Sequence, residues 1–235
     1  VVMPSQMLRF ARWHIWLGWL AGLPLVMWTL TGLIMVARPI EEVRGTHLRI
    51  EQAAAPLDSL DPAPGFSALA QDTERPVEIS FRMDWQNRTV MTAQYADGSI
   101  KRFDTVTGIR LPPVSSRQAK AIVARSIAGG EAVTQIRAFP AASAPFDFRR
   151  PEPVWQVELT DGTHVYVNRD TGDIAAVRTR WWRIFDFMWG LHIMDLETRE
   201  DTHHPILISF ATLGFIMSVL GCVLMFRRRR ARRAR

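Results

Sequence analysis

Four of the six histidines in this chain fall where an imidazole has chemical consequences. His14 is the only ionisable side chain in an apolar run from Trp13 to Ala37, and it shares a helical face with Gly18 and Gly22 at i+4 steps. His192 lies in the tryptophan-rich stretch TRWWRIFDFMWGLHIMDLE, and His203-His204 opens a second apolar run at Pro205. Neutral imidazole is a common ligand for metals and the usual axial ligand of haem iron, and an ionisable group inside a hydrocarbon core is a functional candidate by default. His192, His203 and His204 sit within roughly a dozen residues at one membrane level, a spacing that suits a metal or haem iron. A plainer role is open at each position. His14 with Trp13, Trp16 and Trp19 can anchor a helix among lipid headgroups, and His203 or His204 can cap a helix that begins with proline.

The elements that must position these histidines are two long apolar runs. Residues 13–37 and 205–226 are each long enough to cross a hydrocarbon core of about 30 Å. Every acidic residue lies between Glu41 and Asp201, whereas the outer flanks carry only arginine: Arg9 and Arg12 before the first run, RRRRARRAR after the second. The positive-inside bias therefore places segments 1–12 and 227–235 in the cytoplasm and the acidic centre outside the bacterial inner (plasma) membrane, in the periplasm. The first run exceeds the apolar length of a cleavable signal peptide and closes on no small-x-small site, so it reads as an uncleaved anchor. With His14 and His192 at opposite ends of the core, one iron cannot join them. If both bind haem, there are two haems.

The formal charge of +6 is a flank effect. Without its flanking arginines the chain carries slightly more acids than bases, which leaves no basic footprint for nucleic acid. The arginine tail suits anionic membrane lipids. The one cysteine, Cys222, lies in the second run, so the central region has no disulfide and needs a packed core.

Within that centre, 38–75 reads as a linker, its Ala- and Pro-rich part at about 51–65 holding one short helix at most. Residues 76–180 carry two series of strands. PVEISFRM, TVMTAQY and SIKRFD form the first; the helix VSSRQAKAIVARSI, capped at Ser115 or Ser116 and stopped at Gly129-Gly130, precedes AVTQIRAF, PVWQVEL and HVYVNR in the second. Asp97-Gly98 and Asp161-Gly162 are hairpin signals, followed at the same step by Thr107-Gly108 and Thr171-Gly172. Two α+β modules in tandem follow from that repeat. Residues 181–195 read as an amphipathic interfacial helix with Trp181, Ile184, Phe185, Met188 and Leu191 or His192 on its apolar side. Ala211, Gly214, Ser218 and Gly221 or Cys222 form a small-residue stripe for helix packing.

The helix, the paired strands and the closing VNRDTGDI resemble the PepSY domain, a helix packed on an antiparallel sheet. RWHIWLGWLAGLPL, continuing to TLTG, and WGLHIMD resemble the PepSY-associated transmembrane proteins over nearly the whole chain. The resemblance implies a membrane-anchored α+β protein, two transmembrane helices flanking a periplasmic tandem PepSY-like domain. It also implies haem b held by His14, His192, His203 and His204, and electron transfer to a periplasmic iron compound or protein partner. Larger relatives have four or more spans, so two copies of this chain, or other membrane subunits, would supply the missing helices. A two-fold homodimer meeting across Gly18 and Gly22 would bring two copies of His14 together. The PepSY module also occurs in protease propeptides, which leaves a binding or regulatory protein as the second reading. A structural subunit of a larger membrane complex is the third. The central region shows no HExxH, GxSxG or other hydrolytic arrangement, and its turn aspartates cap their own backbone.

Overall fold

The computed structural model of the chain describes residues 4–51, 56–57 and 61–233. Two units emerge: Val1–Pro39 with Arg183–Arg235, and Ile40–Trp182.

The first unit is built on two long helices, α1 (Pro4–Met35) and, at the other end of the chain, α6 (Pro205–Arg233). Their apolar windows, Leu8–Met35 and Pro205–Arg227, are only 11% and 6% buried, so these are not core helices of a water-soluble fold. Apolar side chains such as Trp19, Leu23, Leu30, Phe215 and Val219 point outward instead. With no water in a bilayer core, an α-helix satisfies its backbone internally and presents such side chains to lipid, and this is a membrane protein. The inward seam of α1 alternates steps of four and three: His14, Gly18, Ala21, Leu25, Trp28, Gly32. That spacing is the heptad of a left-handed helix pair. A β-carbon at Gly18 would lie 3.9 Å from Met217 Sδ, and one at Gly214 would lie 3.4 Å from Leu25 Cδ2, so the two helices pack antiparallel. Gly214 and Gly221 of the expected small-residue stripe face α1. Ala211, Ser218 and Cys222 are exposed, because the face turned to α1 runs through Gly214, Met217 and Gly221.

In the second unit, α2 (Ile40–Arg44), a 3-10 turn at Thr46–Leu48 and α3 (Ala63–Leu69) occupy the stretch read as linker. The first sheet follows in the antiparallel order β1 (Glu78–Met83), β2 (Thr89–Gln94), β3 (Ile100–Asp104), β4 (Arg110–Leu111). Ala68 and Leu69 of α3 cover its core of Met91, Ala93, Tyr95 and Phe103, and Gly65 lets α3 approach the Met91 side chain. The second module opens with α4 (Ser116–Ser126), whose Ser115 side chain and Gln118 form a reciprocal capping box. Its sheet has the same order, β5 (Val133–Phe139), β6 (Val154–Leu159), β7 (His164–Asn168), β8 (Ile174–Arg178). Ile122 and Val123 of α4 pack on Val157, Leu159, Val165 and Val167. The helix α5 (Arg180–His192) then leads back to the first unit.

The repeat is atomic as well as sequential. Asp97 Oδ1 accepts the Ser99 amide, and Asp161 Oδ1 accepts that of Thr163. Asp104 Oδ1 accepts the amides of Val106 and Thr107, while Asn168 Oδ1 accepts those of Asp170 and Thr171. The copies differ in one insertion. Where β1 and β2 join through a short turn, β5 and β6 are separated by a segment containing a 3-10 turn at Ala141–Ser143. Phe148 of that segment packs with Val154, Tyr166 and Ala176, so the second sheet is covered on both faces.

Candidate functional site

His192 is the last residue of α5, and the chain beyond it is locked by a Schellman closure. Met194 takes φ of +58°, its amide donates to Leu191 O, and the Asp195 amide donates back to Gly190 O. Asp195 then gathers the loop that follows. Its carboxylate accepts the Thr198 hydroxyl and the amides of Glu197, Thr198, Glu200 and Asp201, and this donor set, led by Thr198, holds its pKa well below the usual carboxylate range. Arg199 bonds the buried Asp186 of α5, and its backbone carbonyl accepts the Trp189 indole N–H.

On α5, Ile184 of the apolar side is exposed, while Trp182 and Asp186 are buried. Asp186 can be buried because Arg199 satisfies it, a pairing that helical periodicity does not encode.

Against α1, His192 is held at two points. Trp28 Nε1 donates to His192 O at 2.6 Å, and His192 Nδ1 lies 2.9 Å from Thr31 Oγ1. The Thr31 hydroxyl proton is used on the Met27 carbonyl at 2.8 Å, the usual back-bond of a helical threonine. With the hydroxyl proton on that carbonyl, Oγ1 is free to accept from Nδ1, and in the tautomer that makes this bond Nε2 of His192 carries the lone pair. A metal-ligating imidazole is commonly oriented in this way, one nitrogen anchored and the other bare. The ring also lies against Gly32, where a β-carbon would stand in ordinary van der Waals contact with His192 Cε1 at 3.6 Å.

His14 occupies the other end of the same seam. Its ring packs on Gly221, where a β-carbon would lie 3.2 Å from Cε1, and its buried Nδ1 has no hydrogen-bond partner among the described residues. From His14 to Thr31 the rise along the helix is about 25 Å, so the two imidazoles stand at separate levels. The Gly18 face expected to meet a second copy meets Met217 of the same chain, while nothing lies within 4 Å of a β-carbon at Gly22.

Gly221→Leu should push the His14 ring out of its slot and destabilise the helix pair by roughly 1–3 kcal/mol. Gly22→Leu should change stability by less than about 0.5 kcal/mol. Thermal unfolding of the two detergent-solubilised variants, followed by circular dichroism, compares them.

His203 is exposed, with its amide donating to Asp201 Oδ1. His204 directly precedes Pro205 and its carbonyl accepts the Ile208 amide, the position of a helix entry, while its buried Nδ1 has no partner among the described residues. Among the described residues no three of His, Cys, Asp and Glu gather to hold a metal ion, so His192, His203 and His204 do not form one three-ligand cluster.

As donors to a haem iron, His192, held against Thr31 through Nδ1, and His14, whose buried Nδ1 has no partner among the described residues, fit. The seam between α1 and α6 is filled by its own side chains, so a flat cofactor needs walls from outside this helix pair.

A second polar cluster escaped the sequence reading. Asp147 accepts the Tyr166 hydroxyl at 2.6 Å and lies 3.1 Å from His164 Nδ1, while Gln156 Nε2 donates to Tyr166 at 2.6 Å. It clasps the β5–β6 insertion onto the sheet and contains no nucleophile aimed at open space.

A family profile described as PepSY-associated TM region matches residues 11–235. Comparison with the curated proteins and with the solved structures returned no match.

Proposed function

The chain belongs to the family of PepSY-associated transmembrane proteins, and from that premise we propose that it is a b-type haem electron-transfer component of the bacterial inner membrane. The observation that carries the proposal is the pair of imidazoles on one seam of α1, at levels about 25 Å apart. His192 is anchored through Nδ1 by Thr31 and offers Nε2; His14 rests against Gly221 and offers an unpaired nitrogen. Haem b bound at these positions supplies one-electron exchange between ferric and ferrous iron.

The residues around them do the rest. Thr31 fixes the His192 tautomer and raises the basicity of Nε2, and Trp28 holds the end of α5 against α1. Gly221 keeps side-chain bulk away from the His14 ring. A second copy of the chain, or another membrane subunit, supplies the opposing ligands and walls, with His203 and His204 as further donors at the His192 level. Arg9, Arg12 and the arginines from Arg227 onward hold one end of the helix pair on the cytoplasmic side, which puts the two-sheet unit in the periplasm. Haem held at His14 and at His192 would give one-electron carriers at a cytoplasmic and a periplasmic level, and the acceptor beyond them would be a ferric iron compound or siderophore.

A reduced-minus-oxidised visible spectrum of the purified, haem-replete protein tests this beside His14→Ala and His192→Ala. The expected result is sharp α and Soret bands, each substitution removing about half of the signal. A featureless wild-type spectrum would sink the proposal and favour a haem-free binding or regulatory protein.

A further inference from the structure

Between the two modules of Ile40–Trp182 lies a cleft of about 1020 Å³. Phe81 and Met83 of β1 wall it on one side, Ile122 of α4 and Ile174 of β8 on the other, with Trp85 beside them. Its charges are arranged unevenly. Asp84 is consumed by Arg88 at 2.7 Å and by the amides of Gln86 and Arg88. Asp173 is consumed by Arg82, whose Nη1 reaches both carboxylate oxygens at 2.7 and 2.6 Å.

Two further guanidinium groups face the cleft, and both are steadied by neutral acceptors. Arg49 Nη2 donates to Ile174 O at 3.1 Å; Arg125 donates through Nη1 to Trp85 O at 2.8 Å and through Nη2 to Asn87 Oδ1 at 3.1 Å. Among the described residues neither has a carboxylate partner. Each keeps most of its five N–H donors and its whole positive charge for something else.

We propose that this inter-module cleft binds an organic anion, a carboxylate carried on an apolar or aromatic body. The volume is at the upper end of the range for small-molecule sites, and such sites combine apolar walls with a few fixed polar groups that set orientation. Arg49 and Arg125 are those groups. Anchoring on carbonyls holds each fork in place without neutralising it, so a bound carboxylate gains charge-assisted hydrogen bonds at little ordering cost. The aromatic and aliphatic walls take up the body of the ligand, and the repeat explains the site: two copies of one module, docked side by side, leave a groove that neither has alone. The inference stands on the two-sheet unit and is independent of whether the helices hold haem.

The test uses the full chain in phosphatidylcholine nanodiscs, titrated by calorimetry with 2-naphthoate and with its neutral analogue 2-naphthalenemethanol, empty nanodiscs being subtracted. Naphthoate should bind at least tenfold more tightly than the alcohol. Arg49→Gln and Arg125→Gln should each weaken it by roughly 10- to 100-fold, the worth of a charged hydrogen bond. Arg137→Gln, on β5 and outside the cleft, should bind as the wild type does. Arg125→Lys keeps the charge without the fork and should fall between wild type and Arg125→Gln, which separates lost binding from lost folding. Equal affinity for the alcohol, undiminished binding by both glutamine variants, or no naphthoate binding at millimolar concentration would each overturn the proposal.

Discussion

Gly172→Ala should destabilise the two-sheet unit by about 3 kcal/mol or more, against about 1 kcal/mol for Gly98→Ala. Both glycines have φ of +82°, where any β-carbon is strained. They differ in what that carbon would meet. At Gly98 nothing lies within 4 Å, so only the backbone term remains. At Gly172 the carbon would be 2.1 Å from Trp85 Cζ3 and 2.6 Å from Cε3, a direct overlap with the edge of the indole.

Trp85 cannot yield cheaply. It packs against the second module's core, the Arg102 guanidinium stacks over its ring at 5.0 Å, and its carbonyl holds Arg125. Arg102 is itself buried, with burial lowering its pKa and the nearby Asp84 opposing that shift, so displacing Trp85 also takes away the ring face on which a buried cation rests. The wild type, Gly98→Ala and Gly172→Ala, compared by urea denaturation in one detergent, measure the difference. Equal midpoints for the two variants would show that Trp85 does not dock the modules.

The reach of the sequence follows from range. Turns and caps are local, and Asp97-Gly98, Asp161-Gly162, the repeated Thr-Gly step and the Ser115 cap all appear where their residue types require. The two membrane helices were legible because hydropathy sums over many residues. The first module's helix was not legible: one short helix at most was expected within a linker at about 51–65, whereas α3 lies at Ala63–Leu69, and seven residues, about two turns, are too few for helical periodicity to declare itself.

Long-range pairings were invisible. Thr31 with His192, Asp186 with Arg199 and Arg82 with Asp173 join residues that no spacing rule connects. His192 could be nominated as a donor from its surroundings, but its anchor on α1 could not, because a threonine in an apolar helix usually bonds its own backbone. Thr31 does that as well, and this is why its oxygen is left to accept from the imidazole.

Asp147→Ala should cost about 3 kcal/mol, since it leaves the buried Tyr166 hydroxyl and the His164 ring without the carboxylate that joins them. The loop bearing Asp147 is fixed from both sides. Phe148 stacks on Tyr166 at 4.9 Å between ring centroids, and Arg178 Nε donates to the Asp147 carbonyl at 2.7 Å while its guanidinium covers Trp182 at 4.2 Å. Removing the carboxylate therefore loosens the cover of the second sheet's outer face rather than one isolated bond.

The pH dependence has a definite sign. Burial alone would raise the Asp147 pKa, but hydrogen bonds from His164 and Tyr166 outweigh it, and the folded value lies below the ordinary 3.8. A depressed carboxylate contributes stability that is complete above its unfolded pKa and disappears as pH falls through the folded one. The same carboxylate, with burial the larger cause, pushes the Tyr166 hydroxyl far above its ordinary 10, so the tyrosine stays a donor throughout this range. Other aspartates with lowered pKa, Asp72, Asp104 and Asp195 among them, give the wild type an acid limb of their own. The quantity to measure is the difference. Urea midpoints of wild type and Asp147→Ala should lie furthest apart at neutral pH and converge below pH 3.8, and a gap unchanged down to pH 2 would mean that the Asp147 charge does not hold the loop.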